Sequence, residues 1–137
     1  MRSTIFSLLG CGLVLVIFAS QRTAAGTVLF VVPVLQLGAL TNGQNVSVTF
    51  VLTNGSDKVV KIADVDPGCK CTSLRKSPAQ ISAHGKGTFE FNFNSARAAG
   101  SVTESVQVLT EDGQLITGQF HATVAVARTN LISANNP

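Results

Sequence analysis

The stretch Gln44-Asn45-Val46-Ser47-Val48-Thr49-Phe50-Val51-Leu52-Thr53 places Val46, Val48, Phe50 and Leu52 at even positions and Asn45, Ser47, Thr49 and Thr53 at odd ones. Side chains alternate sides along an extended backbone, so this segment has one apolar and one polar face, the pattern of a half-buried antiparallel strand. The same period returns in Phe89, Phe91 and Phe93 against Thr88, Glu90 and Asn92, in Val102, Val106 and Val108, and in Ile116, Phe120, Ala122, Val124 and Val126. Val28 to Leu37 is apolar at odd and even positions alike, which predicts one strand covered on both faces, and Pro33 within it suits an edge or a bulge. Val59 to Val65 reads as a shorter strand, and no stretch beyond the N-terminal segment carries a helical period.

Turn-forming residues punctuate these segments at short intervals: Thr41-Asn42-Gly43, Asn54-Gly55-Ser56, Pro67-Gly68, His84-Gly85-Lys86-Gly87, Ala99-Gly100 and Glu111-Asp112-Gly113. Each supplies a residue that accepts positive φ or presets a turn. About seven strands so spaced predict an all-β, immunoglobulin-like antiparallel β-sandwich over residues 28–127, followed by a polar tail at 128–137. The Cys…Trp…Cys core of true immunoglobulin domains is missing, since the chain has no Trp.

The N-terminal segment reads differently. Arg2 gives a positive start, Ile5 to Ala19 is almost wholly apolar, and Thr23-Ala24-Ala25 before Gly26 offers the small residues that a signal peptidase reads. Residues 1–25 are therefore expected to be a signal peptide, with an uncleaved anchor as the alternative; the apolar run is shorter than the ~20 residues that span a bilayer comfortably. Leu8-Leu9-Gly10-Cys11 imitates a lipoprotein box, but the apolar run continues beyond Cys11, where a lipid-modified Cys should follow it. The expected location is thus exported: periplasm, cell envelope or extracellular space, with membrane contact only if the leader is retained. Charge fits no polyanion partner. Ten Lys/Arg stand against seven Asp/Glu, and once Arg2 and Arg22 are set aside with the leader the excess falls to one. With no Trp or Tyr either, nucleic acid is not an expected partner.

Chemistry concentrates in Asp66-Pro67-Gly68-Cys69-Lys70-Cys71-Thr72. In an extended strand, residues i and i+2 share a face with Cα atoms about 6.6 Å apart, near the upper end of the roughly 4.4–6.8 Å that disulfides span. A Cys69–Cys71 disulfide therefore needs a local bend, which a type II turn at Pro67-Gly68 supplies in part. Two thiolates on one face also suit a soft ion, copper or zinc, and the basic Lys70, Arg75 and Lys76 nearby favour the thiolate. Zinc requires further ligands. His84, in a turn, is the candidate third ligand, while His121 falls on the outward face of its strand beside Gln119 and Thr123. Asp66 is expected to cap its own turn, and Asp64 to be solvated. Asn45-Val46-Ser47 and Asn54-Gly55-Ser56 match glycosylation sequons. A Cys-His nucleophile would need an orienting third group and an oxyanion site that the sequence does not supply, so no catalytic residue is assigned and no enzyme is expected.

Gln36-Leu37-Gly38 followed by Gly43-Gln44, the Phe50-x-x-x-Asn54 strand end, Gly68-Cys69-Lys70-Cys71-Thr72, Ile81 through Phe93, and Gly100 leading into Val106-Gln107-Val108-Leu109-Thr110 resemble the bacterial exported domain-of-unknown-function family with a Cys-Gly-Cys-Thr signature. The resemblance covers about Gln36 to Ala127. Lys70 stands where that family usually has Gly, and His84 where a Pro commonly precedes Gly85. The resemblance implies an exported immunoglobulin-like sandwich similar to hydin-type and major-sperm-protein-like domains, and it implies no settled activity. The expected role is a non-enzymatic module that binds an envelope protein through a sheet edge or the Cys turn. The alternatives are a soft-metal binder at Cys69 and Cys71, and a thiol-disulfide protein, the latter disfavoured by the β context of the cysteines.

Overall fold

A computed structural model describes residues 28–126; the leader at 1–25 and the tail at 128–137 lie outside the described residues. Its strands are β1 Val28–Phe30, β2 Val34–Leu40, β3 Asn45–Asn54, β4 Val60–Asp66, β5 Thr72–Lys76, β6 Gln80–Ile81, β7 Lys86–Asn94, β8 Gly100–Thr110 and β9 Leu115–Val124. They form two sheets, β1-β3-β7-β5 and β2-β9-β8-β4-β6, which face one another as a sandwich.

The alternating segments are the strands that build the core. Val48, Phe50 and Leu52 of β3, Phe89, Phe91 and Phe93 of β7, Val106 and Val108 of β8, and Phe120 and Val124 of β9 are all buried. Asn45, Ser47 and Thr49 are exposed, as a period of two requires. Aromatic rings pack within and between the layers: in one sheet Phe30 and Phe50 lie 5.1 Å apart between centroids and Phe50 and Phe91 6.2 Å at 80°, while Phe93 and Phe120 meet across the sandwich at 5.2 Å and 64°. The two edge-to-face pairs, Phe50–Phe91 and Phe93–Phe120, add about 0.5–1.5 kcal/mol each beyond the area they bury. Gly118 occupies the apolar face of β9 because a Cβ there would stand 2.9 Å from the Phe50 ring and 3.0 Å from the Phe30 ring.

The first segment departs from expectation. Val28 to Leu37 is not one strand but two, divided between the sheets. Val31 N–H still donates to Val51 C=O of β3 at 2.8 Å, whereas Pro33 C=O already accepts from Gln119 N–H of β9 at 2.8 Å. Pro33 has no N–H for a ladder, so the handover falls where the backbone loses nothing by leaving the first sheet. Apolar residues at both parities thus reflect service to two sheets, not burial on two faces. A second correction follows: β2 pairs parallel to β9, the one parallel pair among the described strands, whose other pairs are antiparallel.

Among the described residues there are nine strands: this division adds one to the six segments read from the sequence, and β5 and β6, short strands at sheet edges, add two. At the other end, β9 stops at Val124, and Val126 is exposed instead of continuing the apolar face.

Candidate functional site

The turn Pro67–Cys71 carries the chain from β4 in one sheet to β5 at the open edge of the other. Asp66 starts it as expected, its Oδ1 accepting from Gly68 N–H at 2.7 Å; Asp64 does the same locally for Val65 N–H at 2.9 Å. Gly68 has φ +82°, and a Cβ on it would lie 2.1 Å from Ser105 C=O of β8. Only glycine lets the turn lie flat against that backbone. Cys69 N–H then donates to Pro67 C=O and Thr72 N–H to Cys69 C=O, each at 3.1 Å, curling the segment back on itself.

This curl shortens the distance between Cys69 and Cys71. Their Cα atoms are 5.2 Å apart and their sulfurs stand at disulfide distance. Thr72, buried at the start of β5, places Oγ1 3.4 Å from Cys69 Sγ. Lys70, where the resembled family has Gly, points outward and is exposed, so the curl does not require glycine between the cysteines.

The neighbour that sequence reasoning missed is Glu104, whose Oε1 lies 3.5 Å from Cys71 Sγ. Glu104 belongs to β8 at an even position, in phase with Val102, Val106 and Val108, so its carboxylate lies on the inward face at the end of the core. It is half-buried, and among the described residues no Lys, Arg or His stands within ion-pair distance of it. A legible signal existed: the apolar alternation of that strand is interrupted at one inward position by an acid. Among the described residues, the cluster of metal-capable side chains is Cys69, Cys71 and Glu104, with ligand atoms within 4.8 Å of one another. An open depression of about 460 Å³ adjoins it, lined by these three together with Lys70, Arg97 and Thr103.

The two histidines lie elsewhere. His84, with φ +54°, has Nε2 2.6 Å from Asp57 Oδ1 in the exposed connection between strands. The structure does not bring it to the cysteines. His121 is on the outward face of β9, with Nδ1 2.7 Å from Thr103 Oγ1. Of the basic residues near the turn, Lys76 pairs with Glu90 at 3.9 Å and Arg75 is exposed. The second sequon is closed: Asn54 is fully buried and its Nδ2 donates to Lys58, Ile81 and Ser82 carbonyls at 2.8, 3.2 and 3.0 Å. No helix among the described residues is long and apolar enough to cross a membrane.

Solved structures share the fold at low identity. A protein of unknown function from Porphyromonas gingivalis W83 is 15% identical with a TM-score of 0.60, covering 75% of this chain and 50% of its own. The ASH/PapD-like domain 7 of human CEP192 is 12% identical with a TM-score of 0.55, over 74% of this chain and 87% of its own. The Vibrio cholerae VesB protease is 13% identical with a TM-score of 0.61; the matched region is 72% of this chain but 32% of the protease. A search of curated proteins finds no match. Residues 28–124 match the family described as "Protein of unknown function (DUF1573)", which spans the whole sandwich including the Cys turn; the chain belongs to that family.

Proposed function

We propose that this chain is a non-enzymatic, exported interaction module that captures an extended segment of an envelope protein on the β5 edge. The observation that carries the reading is the phase of the β5–β7 ladder. Asn94 N–H donates to Cys71 C=O at 2.8 Å, and Thr72 pairs with Phe93, Ser73 with Asn92 and Leu74 with Phe91. That phase turns Ser73 toward β7 and the N–H and C=O of Leu74 toward solvent, on a terminal strand where another strand can add. Beside it in the facing sheet, β6 covers only Val60 and Lys61 of β4, so Ala63 to Asp66 are open as well. The Cys turn sits between these two edges. Export is supported by Arg2, the apolar Ile5–Ala19 run and Thr23-Ala24-Ala25.

The test places a photo-crosslinking residue at Ser73 or Arg75 of the full chain in its producing cells, with Ser47 on the exposed face of the central strand β3 as control. Crosslinks to one reproducible envelope protein from the β5 positions, lost in Leu74→Pro, are the expected result. Proline removes only an outward donor there, so the sandwich should persist. Adducts as abundant from Ser47 as from Ser73, or unaffected by the proline, would refute edge capture; intact mass of the exported protein tests cleavage after Ala25.

A further inference from the structure

We propose that Cys69, Cys71 and Glu104, once the cysteines are reduced, form a three-ligand Zn(II) site with its fourth position open to the adjoining depression. The inference stands apart from strand capture, since it uses nothing on β5.

The first ground is distance. Zinc holds sulfur at about 2.3 Å and carboxylate oxygen at about 2.0 Å, so tetrahedral geometry requires an S···O separation of about 3.5 Å. Cys71 Sγ and Glu104 Oε1 are 3.5 Å apart. Two zinc-bound sulfurs need a separation of about 3.8 Å. Opening the disulfide frees the sulfurs to reach it across a turn whose Cα spacing is 5.2 Å.

The second ground is the state of Glu104. Glu104 is half-buried on the inward face of β8 and lines the open depression, so its carboxylate is within reach of an ion entering from solvent. Among the described residues no cation pairs with it, and its neighbour is sulfur. A divalent ion would compensate it directly. Two thiolates and one carboxylate around Zn(II) leave a net charge of about −1, and Lys70 and Arg97 line the same depression. The carboxylate also selects the metal: hard oxygen beside sulfur suits borderline Zn(II) better than Cu(I), which prefers soft ligands throughout.

The chemistry balances with a dithiol as reductant. The reductant gives two electrons and two protons to the Cys69–Cys71 bond and becomes a disulfide itself. Zn(II) binding then releases the two thiol protons and forms two Zn–S bonds and one Zn–O bond. The disulfide and the metal are therefore mutually exclusive occupants of the turn.

To test this, the full chain is reduced anaerobically with a dithiol, freed of reductant and titrated with Co(II), then with Zn(II). One Co(II) per chain is expected, with thiolate charge-transfer bands and the strong d–d absorption of a tetrahedral ion, bleached by Zn(II). Glu104→Gln, nearly isosteric, should weaken binding by at least the roughly tenfold that even an outer-shell partner is worth. His84→Ala should leave affinity unchanged, and the oxidised chain should bind nothing. X-ray absorption of the wild-type zinc form should show two sulfur scatterers at about 2.3 Å and oxygen at about 2.0 Å, a readout that depends on no variant's folding. Absence of stoichiometric binding, an unaffected Glu104→Gln with a weakened His84→Ala, imidazole scattering, or uptake of Cu(I) without Co(II) or Zn(II) would each overturn the assignment.

Discussion

Gly68 shows how one backbone position places the whole site. Its φ of +82° would by itself strain an L-residue, as would the +83° of Gly43, but the two glycines differ in what surrounds them. Nothing lies within 4 Å of a Cβ on Gly43, whereas one on Gly68 would meet Ser105 C=O at 2.1 Å. Gly43→Ala should therefore cost only the left-handed conformation, about 1–2 kcal/mol. Gly68→Ala adds a clash with backbone that cannot rotate away, for a total of about 3 kcal/mol or more and a melting temperature lower by upward of ~10 °C. Thermal melts of the two variants side by side check this, and equal losses would mean that the turn does not lie on β8. The lifted turn should also carry Cys71 away from Glu104, so any metal affinity of the reduced chain should fall with Gly68→Ala and not with Gly43→Ala.

Among the elements, the long alternating strands were legible because a single face decides each of them. Phe89, Phe91 and Phe93 leave no second register in which the core could form. What escaped reading were the pieces whose place depends on partners remote in sequence. Val28 to Leu37 has the composition of one strand, and its division needs the positions of Val51 and Gln119, which no local pattern reveals. β5 and β6 are short and mostly exposed, so they lack the periodicity that would announce them. The candidate site was half legible for the same reason: the turn Asp66–Thr72 is contiguous, but Glu104 reaches it from a strand more than thirty residues away. Asn54 marks another such junction, tying the end of β3 to Lys58 before β4 and to Ile81 and Ser82 at β6, while its Oδ1 accepts from Ser56 N–H and Oγ. Asn54→Ala would strip a partner from the Ile81 carbonyl, the one of the three on a buried residue, at about 1–3 kcal/mol, while the Lys58 and Ser82 carbonyls belong to exposed residues that water can reach. Hydrogen exchange should accelerate selectively at residues 54–60 and 80–85; uniform acceleration across all strands would instead make Asn54 a determinant of global stability.

At the scale of the whole molecule, the question is whether the cysteines hold the sandwich together. A bond between residues two apart closes a loop of about three residues, and the chain-entropy relation then gives at most about 1.6 kcal/mol, well below what bridges across long loops supply. The two sheets are instead joined by an apolar core that runs from Val28 to Val124 and includes five fully buried phenylalanines, Phe50, Phe89, Phe91, Phe93 and Phe120. Burial of such side chains contributes about 1.5–3 kcal/mol each, so several of them together far exceed the staple. The Cys69→Ser/Cys71→Ser variant and the reduced wild type should accordingly remain folded, with near-native far-UV spectra and melting temperatures lowered by no more than about 13 °C. Because the turn is positioned by Asp66, Gly68 and the Thr72 N–H bond to Cys69 C=O, it should keep its place on β8 without the sulfur–sulfur bond. Cooperative unfolding on reduction would contradict this and would leave the pair a structural role after all. Survival of the fold in both redox states instead leaves the two sulfurs free for chemistry at the open side of the sandwich, next to an inward-facing carboxylate that the core alone does not account for.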